Sequence, residues 1–477
     1  MERKISFKNL YLVGVISLGL IGLGVGSTFA MFTASAEIND SISLTSGLNY
    51  QDDVVDLVDM SISSNDVETA TLNITNNTTK TLNYTSWYKT DNNNLQIGTV
   101  VSNNNSVTGT IAPNGTVQII VSIRNRGTGV AKVTVGISAS EDSIVISDGV
   151  TTLPSDPLPP YLNDYITSLY TGATKSNVTN NSITYHYATS VNLMNDRLGS
   201  ADTGIDEGNI RYHGASPNNY IDIGDRTSND EVILYRIIGI FDDKVKVIRD
   251  ESIGNFSYDS SSSTINDGHG INEWSQADIM KLLNPGYDNE TIGGSLWWNR
   301  ENGNCYNGTG NISLSCNFSL SIASEQFKKL ISTNNWFLGG SSNNAVYPDQ
   351  SYTSERDTNL ITNPADNVVR TGTWTGKIGL FYPSDYGYAA DLDNCTETLV
   401  NYNNCINYNW LDSGNYEWVI TPATNYETHV WRIKDNGSVS AGSYAADSYY
   451  IRPTFYLIEK AVLESGTGTS TDPFVVD

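Results

Sequence analysis

Two stretches near residue 120 alternate apolar and polar residues, and this alternation limits the fold more than any other feature of the chain. In "TVQIIVSIRN" every second side chain is apolar, and "VAKVTVGIS" repeats the pattern after the turn residues "RGTG". Because successive side chains point to opposite faces of a strand, each stretch predicts a half-buried β-strand. The apolar faces consist of Val117, Ile119, Val121 and Ile123 in the first stretch, and of Val133, Val135 and Ile137 in the second.

The same pattern extends to the composition of the whole chain. The chain has 477 residues, more than one ordinary core holds. Only 17% of the residues are charged, and 28 tyrosines, 40 glycines and many Asn, Ser and Thr residues favour strands and turns over long helices. We therefore predict a β-rich protein whose residues 37–150 form an antiparallel, Ig-like β-sandwich, acting as a spacer or, alternatively, as a binding module.

A proline-rich stretch, "TTLPSDPLPP", follows the predicted sandwich, and we interpret residues 151–164 as a linker. Residues 165–477 then predict one α+β domain with two short helices and long loops. "EVILYRIIGIFDDKVKVI" predicts a hairpin that turns at Asp242 and Asp243, and Asn436-Gly437 predicts another. The closing "YYIRPTFYLI" predicts a strand, and Pro453 within it favours a sheet edge or a bulge.

Two stretches of this domain show helical features. "SQADIMKLL" predicts a helix capped by Ser275, with Asp278 three residues later. The second helix is predicted from apolar residues that share one face at helical spacing. These residues are Ala323, Phe327, Leu330 and Ile331.

The N-terminus carries an export pattern. Arg3, Lys4 and Lys8 precede residues 10–32, which contain no charge. A basic start followed by an apolar run predicts a secretory signal peptide over residues 1–36, or a membrane anchor if it stays uncleaved. Cleavage is the favoured interpretation. Either alternative predicts an extracellular or cell-surface location, with a membrane contact in the anchored case.

Four cysteines fit an exported chain. Sequence proximity favours disulfides between Cys305 and Cys316 and between Cys395 and Cys405, although four cysteines permit three pairings. A zinc site is the alternative, but the chain lacks the C-x-x-C spacing that such sites use.

The net charge of −25 argues against nucleic acid as a partner, because phosphate binding needs clustered Lys and Arg. Surface solubility is the simplest interpretation of this acidity. We predict no cofactor. A calcium ion at acidic loop residues such as Asp391 and Asp393 is the competing idea, and no D-x-[DN]-x-[DN]-G loop supports it.

Catalytic signatures are weak, and we predict a protein that is not an enzyme. The four histidines, His186, His213, His269 and His429, lack the spacing of a helical metal pair. Ser384 lacks the G-x-S-x-G elbow that presents a nucleophile. With 52 acidic residues, some pair of carboxylates always exists, so such pairs do not indicate glycoside cleavage.

Two loops rich in Tyr, Ser, Gly and Asp or Asn favour binding, because such loops give contact area at little entropic cost. They are "PSDYGYAADLDN" and "SAGSYAADSYY". The predicted ligand-binding residues are Asp385, Tyr386, Tyr388, Tyr444 and Tyr449.

The alternative for these loops is structural. The tyrosines then only pack over their loops, while "GKIGLFY" is a buried central strand and "PSDYG" a turn in which Asp385 binds local backbone N–H groups. Trp418 and Trp431 begin apolar strands and are predicted to be core residues.

Residues 183–477 also contain a longer pattern: "YRIIGIFDDKVKVIRDESIG", "NEWSQADIMKLLNPGY", "TGKIGLFYPSDYGYAAD", "EWVITP", "WRIKDNGSVS" and "YYIRPTFYLIEK". This pattern is similar to a recurrent extracellular module of surface proteins from Gram-positive gut bacteria. Its last part resembles the C-type lectin-like fold shared by formylglycine-generating enzymes. Separately, "GSTFAMFTASAEI" resembles the export signals of biofilm-matrix and camelysin-type proteins.

The resemblance transfers no site residues. The calcium-dependent sugar site of animal lectins uses E-P-N or Q-P-D together with W-N-D, and none of these triplets occurs here. The resemblance implies a surface-displayed, adhesin-like protein that recognises a glycan or an extracellular protein. A structural component of a cell-surface coat or matrix is the alternative, followed by a surface enzyme.

Overall fold

The computed structural model describes residues 54–477 apart from short internal segments, and the described residues fall within one compact unit, Ser35–Asp477. The predicted signal peptide or anchor, residues 1–36, lies outside the described residues. Strand accounts for 42% and helix for 15% of the described residues, which confirms the β-rich prediction. The internal segments not described are 103–104, 142–143, 145, 147–148, 199–207, 261–267, 288–293, 309–312, 358–360, 363–368 and 371.

Two antiparallel sheets share one core in the first part of the chain. The larger has the order β1-β7-β3-β5 with β8 added to β3, and the smaller has the order β2-β6-β4. Val117, Ile119, Val121 and Ile123 are buried in the common core, as their alternation predicts. The strands are β1 Val54–Ile62, β2 Val67–Thr75, β3 Leu82–Thr90, β4 Leu95–Val101, β5 Thr108–Ile111, β6 Thr116–Asn125, β7 Ala131–Ser140 and β8 Thr151–Thr152.

The proline-rich stretch lies along the sandwich. The Thr99 N–H donates to the Asp156 carbonyl at 2.8 Å, and Arg124 Nη2 donates to the Pro159 carbonyl at 2.9 Å. Beyond it, Arg126 pairs with Glu464 at 3.1 Å and with Asp477 near the chain end. These contacts join the sandwich to the last strands of the chain.

The second part of the chain contains two large sheets and four two-stranded ribbons among the described residues. Its strands are β9 Ser176–Asn180, β10 Ile183–Ala188, β11 Leu193–Asn195, β12 Ile210–Tyr212, β13 Tyr220–Asp222, β14 Asp225–Thr227, β15 Tyr235–Phe241, β16 Lys244–Arg249, β17 Asn255–Ser257, β18 Asn302–Tyr306, β19 Ser313–Asn317, β20 Ser321–Ala323, β21 Asn334–Phe337, β22 Ile361–Thr362, β23 Val369–Arg370, β24 Thr373–Gly376, β25 Ile378–Gly379, β26 Glu417–Pro422, β27 His429–Ile433, β28 Val439–Tyr444, β29 Ser448–Tyr450, β30 Thr454–Tyr456, β31 Leu463–Ser465 and β32 Phe474–Val476.

An eleven-stranded sheet follows the path β25-β30-β16-β15-β12-β11-β10-β9, and β13, β31 and β32 join it at the side. A five-stranded sheet has the order β17-β29-β26-β27-β28. Both predicted hairpins are confirmed. Strands β15 and β16 turn at Asp242 and Asp243, which both have positive φ, and β27 and β28 turn at Gly437, whose φ is +80°.

The described residues contain six α-helices, more than the two that the sequence predicts. Both predicted helices are present, and Ser324 caps α4 by accepting the Phe327 N–H at 3.0 Å. Of the four residues that predicted α4, only Phe327 and Leu330 lie in it, because Ala323 belongs to β20 and Ile331 follows the last helical residue. The predicted cap by Ser275 is wrong, because its hydroxyl donates to Glu273 and α2 begins after Ala277. The helices are α1 Leu162–Gly172, α2 Asp278–Leu283, α3 Leu296–Asn299, α4 Glu325–Leu330, α5 Pro348–Glu355 and α6 Pro383–Tyr388.

Two predictions from local pattern are corrected. Residues 378–382 of the "GKIGLFY" stretch are buried as predicted, but only Gly376, the last residue of β24, and the two residues of β25 pair as strands. "PSDYG" begins helix α6 where a turn was predicted. Pro at the first helical position suits a helix start, because the N–H that it lacks has no partner inside the helix. Pro453 marks neither an edge nor a bulge. It separates β29 from β30, and these two strands belong to different sheets.

Candidate ligand-binding surface

The five predicted ligand-binding residues divide into a buried group and an accessible group. Asp385, Tyr386 and Tyr388 are at most 1% exposed, so none offers a surface to a ligand. Tyr444 is 40% exposed and Tyr449 is partly exposed. Only the second loop, "SAGSYAADSYY", therefore presents tyrosines at the surface.

Asp385 lies at the centre of a buried ion network. Its carboxylate contacts Lys246 Nζ at 2.5 Å and Arg211 Nη1 at 2.9 Å, and it also accepts the Tyr382 N–H at 2.9 Å at the start of α6. Burial alone would raise the pKa of Asp385, but Lys246 and Arg211 outweigh burial and lower this pKa. Arg211 also binds Asp196 at 2.5 Å. The network joins β12, β16 and α6 inside the core.

Tyr386 and Tyr388 are packing residues of α6. The Tyr386 hydroxyl donates to Asp412 Oδ1 and contacts the Gly437 carbonyl, both at 2.9 Å, which ties α6 to the turn of the β27–β28 hairpin. The Tyr388 ring contacts Tyr185 edge to face at 5.9 Å. Stacking of either ring on a ligand is inconsistent with these positions.

An exposed aromatic cluster surrounds Tyr444 at the end of β28. The His269 ring stacks on the Tyr444 ring with centroids 3.9 Å apart. His429 on β27 is the register partner of Tyr444, and the centroids of these two rings lie 4.6 Å apart. Tyr426 follows at 4.7 Å from His429 and is 58% exposed. We call these four residues, His269, Tyr426, His429 and Tyr444, the histidine–tyrosine cluster.

A second cluster surrounds Tyr449 on β29. Its ring stacks with Tyr416 at 5.6 Å, and the Arg432 guanidinium lies 5.0 Å from the Tyr416 centroid and 4.6 Å from the Tyr449 centroid. Arg432 Nη1 also donates to the Tyr449 hydroxyl. A cation over two aromatic rings is attracted by their negative faces. Arg432 therefore holds the two tyrosines in place.

Asp447 lies between the two clusters. The Tyr449 hydroxyl donates to Asp447 Oδ2 at 3.2 Å. Burial lowers the pKa of His429, and the negative charge of Asp447 partly opposes this shift. The Asp447 N–H donates to the Tyr444 carbonyl at 2.9 Å, which closes the turn between β28 and β29. Asp447 thus links the two clusters.

An open pocket of about 400 Å³ adjoins Tyr449. Three tyrosines contribute to its wall, together with amides, a hydroxyl and one carboxylate. The lining residues are Asn255, Gly414, Asn415, Tyr416, Asp435, Ser448, Tyr449 and Tyr450. We call this the tyrosine pocket.

A buried ion pair adjoins the pocket residue Tyr450, because Glu417 is the register partner of Tyr450. Arg452 Nε and Nη2 bind the two oxygens of Glu417 at 2.7 Å each, and Nη2 also donates to the Leu411 carbonyl at 2.7 Å. Burial raises the pKa of Glu417, and Arg452 opposes this shift. Trp418 is buried, as predicted, and its ring meets Tyr449 edge to face at 4.6 Å. Trp431 is buried as well.

The cysteines pair as sequence proximity predicts. Cys305 and Cys316 have Cα atoms 5.9 Å apart, and Cys395 and Cys405 have Cα atoms 5.3 Å apart. Within the described part of the chain, no group of three or more His, Cys, Asp or Glu side chains is arranged to hold a metal ion. None of the helices described is both long and apolar enough to cross a bilayer.

Comparison with known proteins adds no relative: no family model, no curated protein and no solved structure matches the chain.

Sequence reasoning missed most of this surface. Tyr416 lies in "SGNYEW", whose composition resembles the loop that contains Tyr444, so a wider search for Tyr among Ser, Gly and Asn would have found it. His429 and Arg432 carry no such signal. They join the surface only because β27 pairs with β28 and β26 in this register.

Proposed function

We propose that the protein is an exported, cell-surface binding protein whose ligand surface consists of the histidine–tyrosine cluster and the tyrosine pocket. The carrying observation is that Asp447 connects two aromatic clusters, one with the exposed rings of Tyr426 and Tyr444 and one with the partly exposed rings of Tyr416 and Tyr449. Tyrosine and histidine rings combine large contact area with polar atoms, a combination that suits glycan or protein ligands.

Rigid support strengthens the proposal. Tyr449 contacts Arg432, Asp447 and Trp418, so little of its side-chain freedom remains to be lost on binding. Preorganised contact groups reduce the entropic cost of association. The uncharged run at residues 10–32 and the two disulfides support export.

An array of glycans and extracellular matrix proteins tests the proposal. The full chain, kept in mild detergent because of its apolar residues 10–32, is applied with calcium and again with a chelator. We expect reproducible hits that Tyr444→Ala and Tyr449→Ala weaken. Tyr408→Ala is the matched control, since Tyr408 is 39% exposed and belongs to neither cluster. An array without hits in both buffers contradicts a binding function and favours a coat or matrix component.

A further inference from the structure

We infer that the tyrosine pocket binds a neutral saccharide, so that Tyr416, Tyr449 and Tyr450 pack against the sugar while Asn255 and Asp435 bind its hydroxyls. This inference rests on the proposed binding function and specifies the ligand class of one part of that surface.

The size of the pocket favours a small ligand over a protein. Pockets for small molecules occupy roughly 300–1,000 Å³, and the tyrosine pocket, at about 400 Å³, falls in this range. A stable protein interface needs roughly 20–30 residues on each side. The eight residues that line the pocket are far fewer.

The aromatic and polar groups of the pocket match the two chemical faces of a sugar ring. The C–H face of a pyranose is apolar and packs on the negative face of an aromatic ring. Its edge carries hydroxyls that need donors and acceptors. Among the described residues, the side chains of Asn255 and Asp435 and the Tyr450 hydroxyl form no hydrogen bond with the protein, so they are available to such hydroxyls.

The negative charges near the pocket favour a neutral ligand over an anionic one. Asp435 is the one charged side chain in the pocket lining, and it is exposed. Asp447 stands beside Tyr449, and the whole chain carries a net charge of −25. Sulfated or carboxylated sugars therefore meet the like charge of Asp435 within the pocket itself.

Arg432 argues against a cationic ligand. Its guanidinium already lies within about 5 Å of the Tyr416 and Tyr449 rings, yet Arg432 does not line the pocket. A second cation at these rings would be repelled by Arg432, whereas a neutral sugar would not. Arg432 is thus a positioning residue that orients the two tyrosines.

The test compares matched probes on the full chain. Neutral oligosaccharides of hexose and N-acetylhexosamine are arrayed beside sulfated forms of the same sugars and beside a trimethylammonium probe. We expect binding of neutral members only, and a loss of at least tenfold in affinity for Tyr416→Ala and for Asp435→Ala. Because Asp435 is exposed, we expect Asp435→Ala to keep the fold, so this variant covers the case in which Tyr416→Ala fails to fold. Tyr408→Ala again serves as the control.

The outcomes distinguish this inference from the proposed function. Preference for the sulfated or trimethylammonium probes, or neutral binding unaffected by Asp435→Ala and Tyr416→Ala, overturns the saccharide pocket while leaving a binding protein in place. Hits confined to matrix proteins likewise overturn the saccharide pocket and leave a binding protein in place. An array without any hit overturns both.

Discussion

Tyr416 and Tyr449 stack with their ring centroids 5.6 Å apart, although they are 33 positions apart in sequence and lie on different segments of the chain. Their contact depends on the parallel pairing of β26 with β29, which places Glu417 beside Tyr450. Arg432 on a third strand holds both rings. The candidate ligand surface is thus a product of the sheet, and no single loop contains it.

Tyr386 and Tyr444 come from loops of similar composition, but Tyr386 is buried and Tyr444 is exposed. We expect Tyr386→Ala to lower the free energy of unfolding by about 3–5 kcal/mol, because a fully buried aromatic side chain is lost. Tyr444→Ala should change it by less than about 1 kcal/mol, since the ring is 40% exposed. Denaturant unfolding of the two variants measures both values. Equal stability of the two variants would contradict the placement of Tyr386.

The buried contact between Lys246 and Asp385 predicts a strong effect of removing one partner. Lys246→Met leaves Asp385 with less positive charge around it, and we expect a loss of about 3–5 kcal/mol in unfolding free energy. Lys244→Met is the matched control two positions earlier on β16. Its ammonium is partly exposed, donates to Asn334 Oδ1 at 2.9 Å and pairs with Glu459 only at 4.0 Å, so about 1 kcal/mol or less should be lost. The prediction fails if both variants unfold at the same denaturant concentration.

His213 predicts a pH-dependent stability. Burial lowers the pKa of His213 from 6.5 to about 4, and Asp391 opposes this shift only in part. The unfolded chain therefore takes up this proton at a higher pH than the folded chain does. Stability falls as pH drops from about 6.5 to about 4, and this one group accounts for about 3 kcal/mol of the fall.

The variant His213→Phe tests this contribution, because its ring can still pack on Tyr187, which lies 4.0 Å from His213. We expect its stability to decline less steeply with acid than that of the unchanged protein, by about 3 kcal/mol at pH 4. His186→Phe, on strand β10 of the same sheet, controls for the loss of an imidazole at a less buried position. Parallel stability curves for His213→Phe and the unchanged protein would refute the assignment.

The disulfide between Cys395 and Cys405 closes a short loop beside α6. Replacing both cysteines with serine should lower the free energy of unfolding by about 2–3 kcal/mol, because the unfolded chain gains freedom. The Cys395 carbonyl also accepts the Asn180 side-chain N–H at 3.0 Å, which ties this loop to β9. Thermal unfolding of the double variant measures the loss. No change in melting temperature would mean that the bond contributes little.

Local pattern predicted the elements whose residues interact with near neighbours in sequence. The period of two in β6 and β7, the Asp242-Asp243 and Asn436-Gly437 turns and the apolar face of α4 all follow from backbone geometry within about ten residues. The start of α6 was missed because "PSDYG" suits a turn as well as a helix. Whether this stretch forms a helix depends on the contacts of Asp385 with Lys246 and Arg211, which are 139 and 174 positions away.

For the candidate surface, composition identified Tyr444 and Tyr449 but also selected Tyr386 and Tyr388. The two loops share the same residue types, and only tertiary packing decides which tyrosines face solvent. His269, Tyr416 and Arg432 reach the surface through strand register and long-range contacts that no short window contains.

The amino-acid sequence alone determined that this protein is β-rich and that its early strands bury one face, and it favoured cysteine pairs between near neighbours, because each depends on residues close together along the chain. The tertiary structure decided that Asp385 is a buried partner of Lys246 and that Tyr416, Arg432 and Tyr449 form one cluster. Burial and charge pairing between distant strands carry that information, since side chains far apart in sequence lose water together only when the sheets assemble.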